Sequence, residues 1–267
     1  MSVTQTAQLP GNLKSNPRLG QWLHIDAGGF IEISPGKVEI GQGILTALMQ
    51  IAADELDISP ARVRLRAVNT VTSPNEGVTS GSLSIQDSGS AIRRVCAQAR
   101  AIYLALAAEK LGVEAGALVL DDGTIRGPKN LSTSYWELAN DTLLDRDASL
   151  GVKAKSPDAR VVAGASAQRL DIPEKAFGLP RFIHDKYYKD VLHGRVLRPP
   201  GPRARLVSLD ESAAIKIVGV MHIVRDGSFV GVVASSESAT LQAIEALRKN
   251  AQWTEQGNRV KKSVTIW

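Results

Sequence analysis

Cysteine is all but missing from this chain: Cys96 stands alone among 267 residues, which excludes an internal disulfide framework. Aromatic residues amount to 4%, and the 32 Lys+Arg against 27 Asp+Glu leave only +5. Five charges spread over this length, with few aromatics and no nucleic-acid motif, do not make an RNA- or DNA-binding module. Long hydrophobic runs are absent too. No stretch approaches the roughly 18 apolar residues of a membrane helix. The first residues, MSVTQTAQLPGNLKSNPRLGQW, hold no apolar core of a secretory signal. The expectation is a cytoplasmic protein without membrane insertion, brought to a membrane only by a partner.

Several catalytic templates are missing as well. The four histidines, His24, His184, His193 and His222, form neither HxH nor HExxH, so no metal site is expected. There is no GxSxG elbow and no GxxxxGK[ST] loop. Gly41-Gln42-Gly43 lacks the third glycine of a dinucleotide fingerprint, which leaves NAD unsupported.

What is present is the 43% hydrophobic, 22% charged composition of a soluble globular protein, long enough for two modest domains. FIEI, KVEI and VRLRAV alternate apolar with polar and read as strands. Leu45, Leu48, Met49, Ala52 and Leu56 lie on one helical stripe, and Ile92, Val95, Cys96, Ala99, Ile102, Tyr103 and Leu106 on another that ends near Gly112. Cys96 on that stripe reads as a core thiol. Between the helices lies a long Ser/Thr/Gly/Asn-rich loop, Asn69 to Ser90. Asp122-Gly123 marks a hairpin. A polar stretch follows, then a second unit with strand VLHGRVL, a short helix near DESAAIK, a hairpin across Asp226-Gly227 and a closing helix SATLQAIEALRKNAQW. The fold class is α+β. Expected divisions are an N-terminal leader 1–19, a first α/β domain 20–138, a linker 139–168, a second α/β domain 169–255 and a tail 256–267.

Two stretches suggest a binding site. Gly41-Gln42-Gly43 opens a helix without a Ser, Thr, Asp or Asn cap, which leaves backbone N–H groups for an anion and lets a ligand approach the chain closely. Thr79-Ser80-Gly81-Ser82 concentrates hydroxyls and amides that suit a polyanionic or heteroaromatic ligand. Spacing alone leaves open a plain strand-to-helix turn for the first and a solvated loop for the second. The basic run HGRVLRPPGPRAR, with Arg195, Arg198, Arg203 and Arg205, could face an anion, although such a run is more often a solvated edge.

The runs VEIGQGILTALMQIAADELDI and TSPNEGVTSGSLSIQDSGSAIRRVCAQAR closely resemble molybdopterin-binding subunits of the xanthine dehydrogenase/aldehyde oxidase family. The order of parts is similar to the branch holding isoquinoline 1-oxidoreductase and nicotinate dehydrogenase. RLDIPEKAFGLPRFIHD, VLHGRVLRPP and GVMHIVRDGSFVGVVA look like that family's α/β hammerhead domain, and the resemblance spans roughly residues 8 to 255. It implies a molybdopterin cofactor, in bacteria often the cytosine dinucleotide form, lying against Gly41, Gln42, Gly43, Thr79, Ser80, Gly81 and Ser82. It implies hydroxylation of an N-heteroaromatic ring carbon, or oxidation of an aldehyde, with oxygen from water.

The family's glycine-rich segment near the molybdenum and its Gly-Glu catalytic base are not found in this sequence, and neither Glu39 nor Glu76 is promoted to that role. No catalytic residue is therefore expected here. The expectation is a smaller subunit of a split enzyme, inactive alone. A larger molybdopterin-binding subunit would share the cofactor. Another subunit would carry [2Fe–2S] clusters, since one cysteine cannot ligate them, and a flavin or cytochrome subunit would accept the electrons. The alternative is a non-catalytic scaffold subunit that never touches cofactor.

Overall fold

The computed structural model describes residues 8–140 and 142–254. They divide into two units between Leu179 and Pro180. The mixture of helices and small sheets is α+β.

In the first unit, β1 (Leu23–Asp26) and β2 (Phe30–Ile33) form an antiparallel hairpin that pairs Leu23 with Ile33. Alternation puts Leu23, Ile25, Ile31 and Ile33 inside. The chain then crosses over through helix α1 (Ile44–Leu56) to β3 (Val63–Leu65), which lies parallel to β2. A parallel neighbour requires such a crossover. Helix α2 (Ser90–Leu111) packs on α1 and ends at Gly112, whose φ of 65° makes the left-handed turn that stops a helix. A three-stranded meander follows: β4 (Val119–Asp121), β5 (Thr124–Arg126) and β6 (Ser132–Ser134). Asp122 and Gly123 both take positive φ at its first turn, the geometry that Asp-Gly favours in two-residue hairpins.

The core of this unit draws on segments that the sequence pattern placed outside it. Leu13 and Leu19, in the expected leader, are fully buried beside Trp22. Of that leader, residues 1–7 lie outside the described residues. The stretch 139–168, expected as a linker, packs on this unit: Leu144 is buried, and the Ala148 amide donates to Pro17 O. Its backbone amides meet buried acids on α1. Asp54 Oδ1 accepts the amides of Val161 and Val162, while Glu55 accepts Arg93 and the amide of Lys155. Residues 169–179, expected to begin the second domain, also belong to the first unit. They include the short helix α3 (Ile172–Ala176).

In the second unit, β7 (His193–Val196), β10 (Phe229–Ala234) and β9 (Val220–Asp226) form an antiparallel sheet with β10 in the middle. Helix α4 (Ser212–Ile215) and helix α5 (Glu237–Asn250) complete a small core of Leu197, Ala214, Val230, Val232, Ala243, Ile244 and Leu247. The expected closing helix stops at Asn250. Its last residues form β11 (Ala251–Trp253), paired with β8 (Leu206–Leu209). The expected tail 256–267 lies outside the described residues.

Candidate functional site

KVEI does not form the expected strand. From Lys37 to Ile40 the backbone finds no strand partner among the described residues. Lys37 points inward, the Val38 amide donates to Thr79 Oγ1 at 3.0 Å, and Gln42 folds back over the segment. Gln42 Oε1 accepts the Ile40 amide at 2.7 Å, and its Nε2 donates to Val38 O at 3.0 Å.

The uncapped helix start is occupied by Glu39, which corrects the expectation of a free anion site there. Its Oε1 accepts the amides of Gly41 and Gly43, both at 2.9 Å, and its Oε2 accepts that of Leu45 at 3.3 Å. A carboxylate at the positive end of α1 does what a cap residue and the helix dipole require. Arg169 closes this arrangement from outside. It donates to Gly41 O at 3.0 Å, approaches Glu39 to 3.7 Å and is held by Asp171 through a two-armed pair at 3.0 and 2.8 Å. Lys175 also donates to Asp171, at 2.7 Å. Hydrogen bonds from Arg169 and then Lys175 hold the Asp171 carboxyl below its ordinary range, although burial opposes this.

The glycines are needed at this turn. Gly41 has φ +103° and Gly43 φ +80°, a region that side chains disfavour. A Cβ on Gly43 would meet the Arg169 guanidinium at 3.4 Å, whereas one on Gly41 would meet nothing within 4 Å. The backbone at Gly41 therefore faces open space.

The second stretch lies beside the first, joined to it at Thr79 and Val38. Ser80, Gly81 and Ser82 are exposed, with Gly81 and Ser82 at φ +65° and +56°. Among the described residues the amides of Gln42, Ser80, Gly81 and Ser82 have no hydrogen-bond partner, and none of Ser80, Gly81 or Ser82 bonds to Gly41, Gln42 or Gly43. Apolar side chains rim both stretches, with Ile40 69% and Val78 78% exposed. A cavity of about 470 Å³, bounded in part by Val38, Asn69, Ser73, Glu76 and Thr79, reaches the second stretch at Thr79 and is lined by none of Gly41–Gly43 or Ser80–Ser82.

The long loop is more ordered than its composition suggests. Asn69 organises its first turn, accepting the amides of Val71 and Thr72. Its last residues are helical: a π-helical turn, Ile85–Gly89, runs straight into α2. Such turns are frequent at functional sites.

Acid chemistry is not free here. Glu39 caps the helix, and Glu76 accepts Asn12 Nδ2, the Gly36 amide and Ser88 Oγ. Among the described residues no group of three His, Cys, Asp or Glu side chains could hold a metal ion. Cys96 is buried, and burial pushes its thiol far above the ordinary range. Glu39, Lys37 and Arg169 organise the site, although none of them was expected to from sequence. The available signal was a carboxylate placed just before a helix with no cap.

Residues 2–168 match the molybdopterin cofactor-binding domain family. A nicotinate dehydrogenase subunit of Pseudomonas putida is 34% identical over 243 residues, which cover 86% of this chain and 20% of that protein. A protein named membrane-bound aldehyde dehydrogenase (pyrroloquinoline-quinone), from Gluconacetobacter polyoxogenes, is 30% identical over 268 residues, 92% of this chain and 33% of that one. A solved CO dehydrogenase from Oligotropha carboxidovorans aligns with 43% of this chain and 15% of its own, at 29% identity and a TM-score of 0.39. The chain thus spans between a fifth and a third of the length of the two curated relatives.

Proposed function

This chain belongs to the molybdopterin cofactor-binding domain family, and we propose that it forms one wall of the cofactor site in a molybdenum hydroxylase. The observation that carries this reading is the open backbone at Gly41, next to unpartnered amides at Gln42 and Ser80–Ser82. A flat heteroaromatic group can approach a glycine that has no Cβ and no neighbour, and its polar edges need N–H donors. The residues present fit such a group. They do not fit an anion at the start of α1, where Glu39 already lies, so anionic parts of the cofactor are received by the Ser80–Ser82 amides.

When bound, the cofactor supplies a two-electron redox centre for hydroxylation with oxygen from water. This chain's own part is to bind and orient it. Gly41 and Gly43 admit the ring system, Gln42 presents its backbone N–H, and Thr79 keeps the second loop beside the first. The exposed Ile40 and Val78 border the site and are covered in the assembled enzyme.

The proposed substrate class is an N-heteroaromatic compound of nicotinate or isoquinoline type, or an aldehyde. The relative named as a nicotinate dehydrogenase subunit supports the first. The catalytic glutamate and the remaining walls come from a larger partner, [2Fe–2S] clusters from another subunit, and a flavin or cytochrome subunit takes the electrons. The cofactor is taken in its cytosine dinucleotide form, and the second unit serves as a hammerhead-like domain. Among the described residues no helix is long and apolar enough to cross a membrane. A cytoplasmic location is proposed with that.

One observation favours the scaffold alternative: both polar ends of the Gln42 side chain are already used within its own loop. Gln42→Ala separates the two. In the enzyme containing this chain, the cofactor-wall reading expects pterin content or turnover to fall. Wild-type pterin, molybdenum and turnover in this variant would favour the scaffold alternative.

A further inference from the structure

The ammonium of Lys37 sits in a side chain only 3% exposed. A buried cation persists only where hydrogen bonds and opposite charge replace its water. Lys37 donates to Glu76 O at 2.8 Å and to Val78 O at 3.2 Å, and lies 3.5 Å from Asp87 Oδ2. Both carbonyls belong to the segment that leads into Thr79, and Asp87 belongs to the π-helical turn that leaves the loop.

The contacts around it are close. The Glu76 side chain takes the Gly36 amide at 2.7 Å and Ser88 Oγ at 2.8 Å. A Cβ on Gly36 would lie 2.2 Å from Pro74 O, so only glycine lets the loop approach there. Lys37 itself precedes Gly41 by four residues and touches none of the exposed site backbone. An apolar side chain of the same length would leave the Glu76 carbonyl buried without its donor, and the loop would turn toward water to satisfy it.

We infer that Lys37 is a positioning residue that fixes the spacing between the Gly41–Gly43 turn and the Thr79–Ser82 loop, and so sets how firmly the site holds its ligand. The ligand half of this inference rests on the cofactor-wall reading; the spacing half rests on geometry alone.

Lys37→Met tests it in the enzyme containing this chain. Exchange is read on cofactor-free protein, so that ligand loss does not enter the comparison. The hydrogen-bonded amides in 34–40 and 76–88 should exchange about tenfold faster than in wild type, while 44–56 and 91–111 keep their protection. Pterin bound after production in a host that makes the cofactor should fall to a minor fraction. Unchanged exchange in 34–40 and 76–88 overturns the inference. So does a loss spread equally over both core helices, or wild-type pterin content in a loosened loop. If wild-type enzyme itself carries no pterin, the cofactor-wall reading fails, and the exchange result alone decides the spacing role. Should Lys37→Met not accumulate folded, Asp87→Asn removes only the ion pair and is judged on the same peptides, with a smaller acceleration expected.

Discussion

Glu39 Oε1 accepts the Gly43 amide at 2.9 Å, four residues further along the chain, and the same oxygen accepts the Gly41 amide at 2.9 Å. The chain thereby supplies its own anion to a helix end that has no capping side chain in sequence. Glu39→Ala leaves three amides without this partner and should cost about 1–2 kcal/mol, in line with loss of a helix cap. Glu39→Gln keeps one carbonyl oxygen and should cost less. Urea unfolding of the three proteins measures both. Equal stability of all three would mean that water caps the helix as well as Glu39 does.

Gly41→Ala separates backbone strain from ligand contact. At φ +103°, with nothing for a Cβ to strike, the substitution should cost about 1–2 kcal/mol from conformation alone. Gly112 is the control, because it also has positive φ and open space but lies at the far end of α2. Both variants should lose comparable stability, and only Gly41→Ala should lose pterin. Equal pterin content in the two would remove Gly41 from the site.

The Arg169–Asp171–Lys175 cluster predicts an acid dependence. Arg169 and Lys175 hold the folded-state pKa of Asp171 below its ordinary value. A carboxyl shifted this way adds stability that is complete above its unfolded pKa of about 3.9 and is lost as pH falls toward the folded value. Asp171→Asn should therefore be less stable than wild type at about pH 6–7, and the gap should narrow once the pH drops below about 4. Unfolding measured across that range checks it. A gap that stays constant through the acid region would assign the cost to packing instead of charge.

The parts of the fold that sequence revealed are those whose cause is local. The stripes of α1 and α2, the Gly112 stop and the Asp122-Gly123 turn each follow from neighbouring residues. Hidden from it were features whose causes lie far along the chain. KVEI alternates like a strand, yet Lys37 is drawn inward by carbonyls at Glu76 and Val78, and Val38 is taken by Thr79. The stretch 139–168 looked like a linker because it is polar, but its amides bond Asp54 Oδ1 and Glu55 Oε2, on buried acids of a helix a hundred residues away. Leu13 and Leu19 stand singly among polar residues, and no periodicity marks them as core.

The candidate site was legible as composition but not as geometry. Glycines and hydroxyls pointed to Gly41–Gly43 and Thr79–Ser82, and the fold brings them side by side through Val38 and Thr79. That Glu39 fills the helix end, and that Gln42 is turned back on its own loop, depends on side-chain reach. Residue type alone does not encode it.

Hydrogen exchange on the holoenzyme and on the same enzyme stripped of cofactor tests the cofactor wall most directly. The amides of Gln42, Ser80, Gly81 and Ser82 have no partner within the described chain, so any protection they gain must come from outside it. The account predicts slow exchange at both stretches when cofactor is bound and fast exchange when it is removed, with the α1 and α2 cores unchanged. Equal exchange at these four amides in the two forms would contradict it.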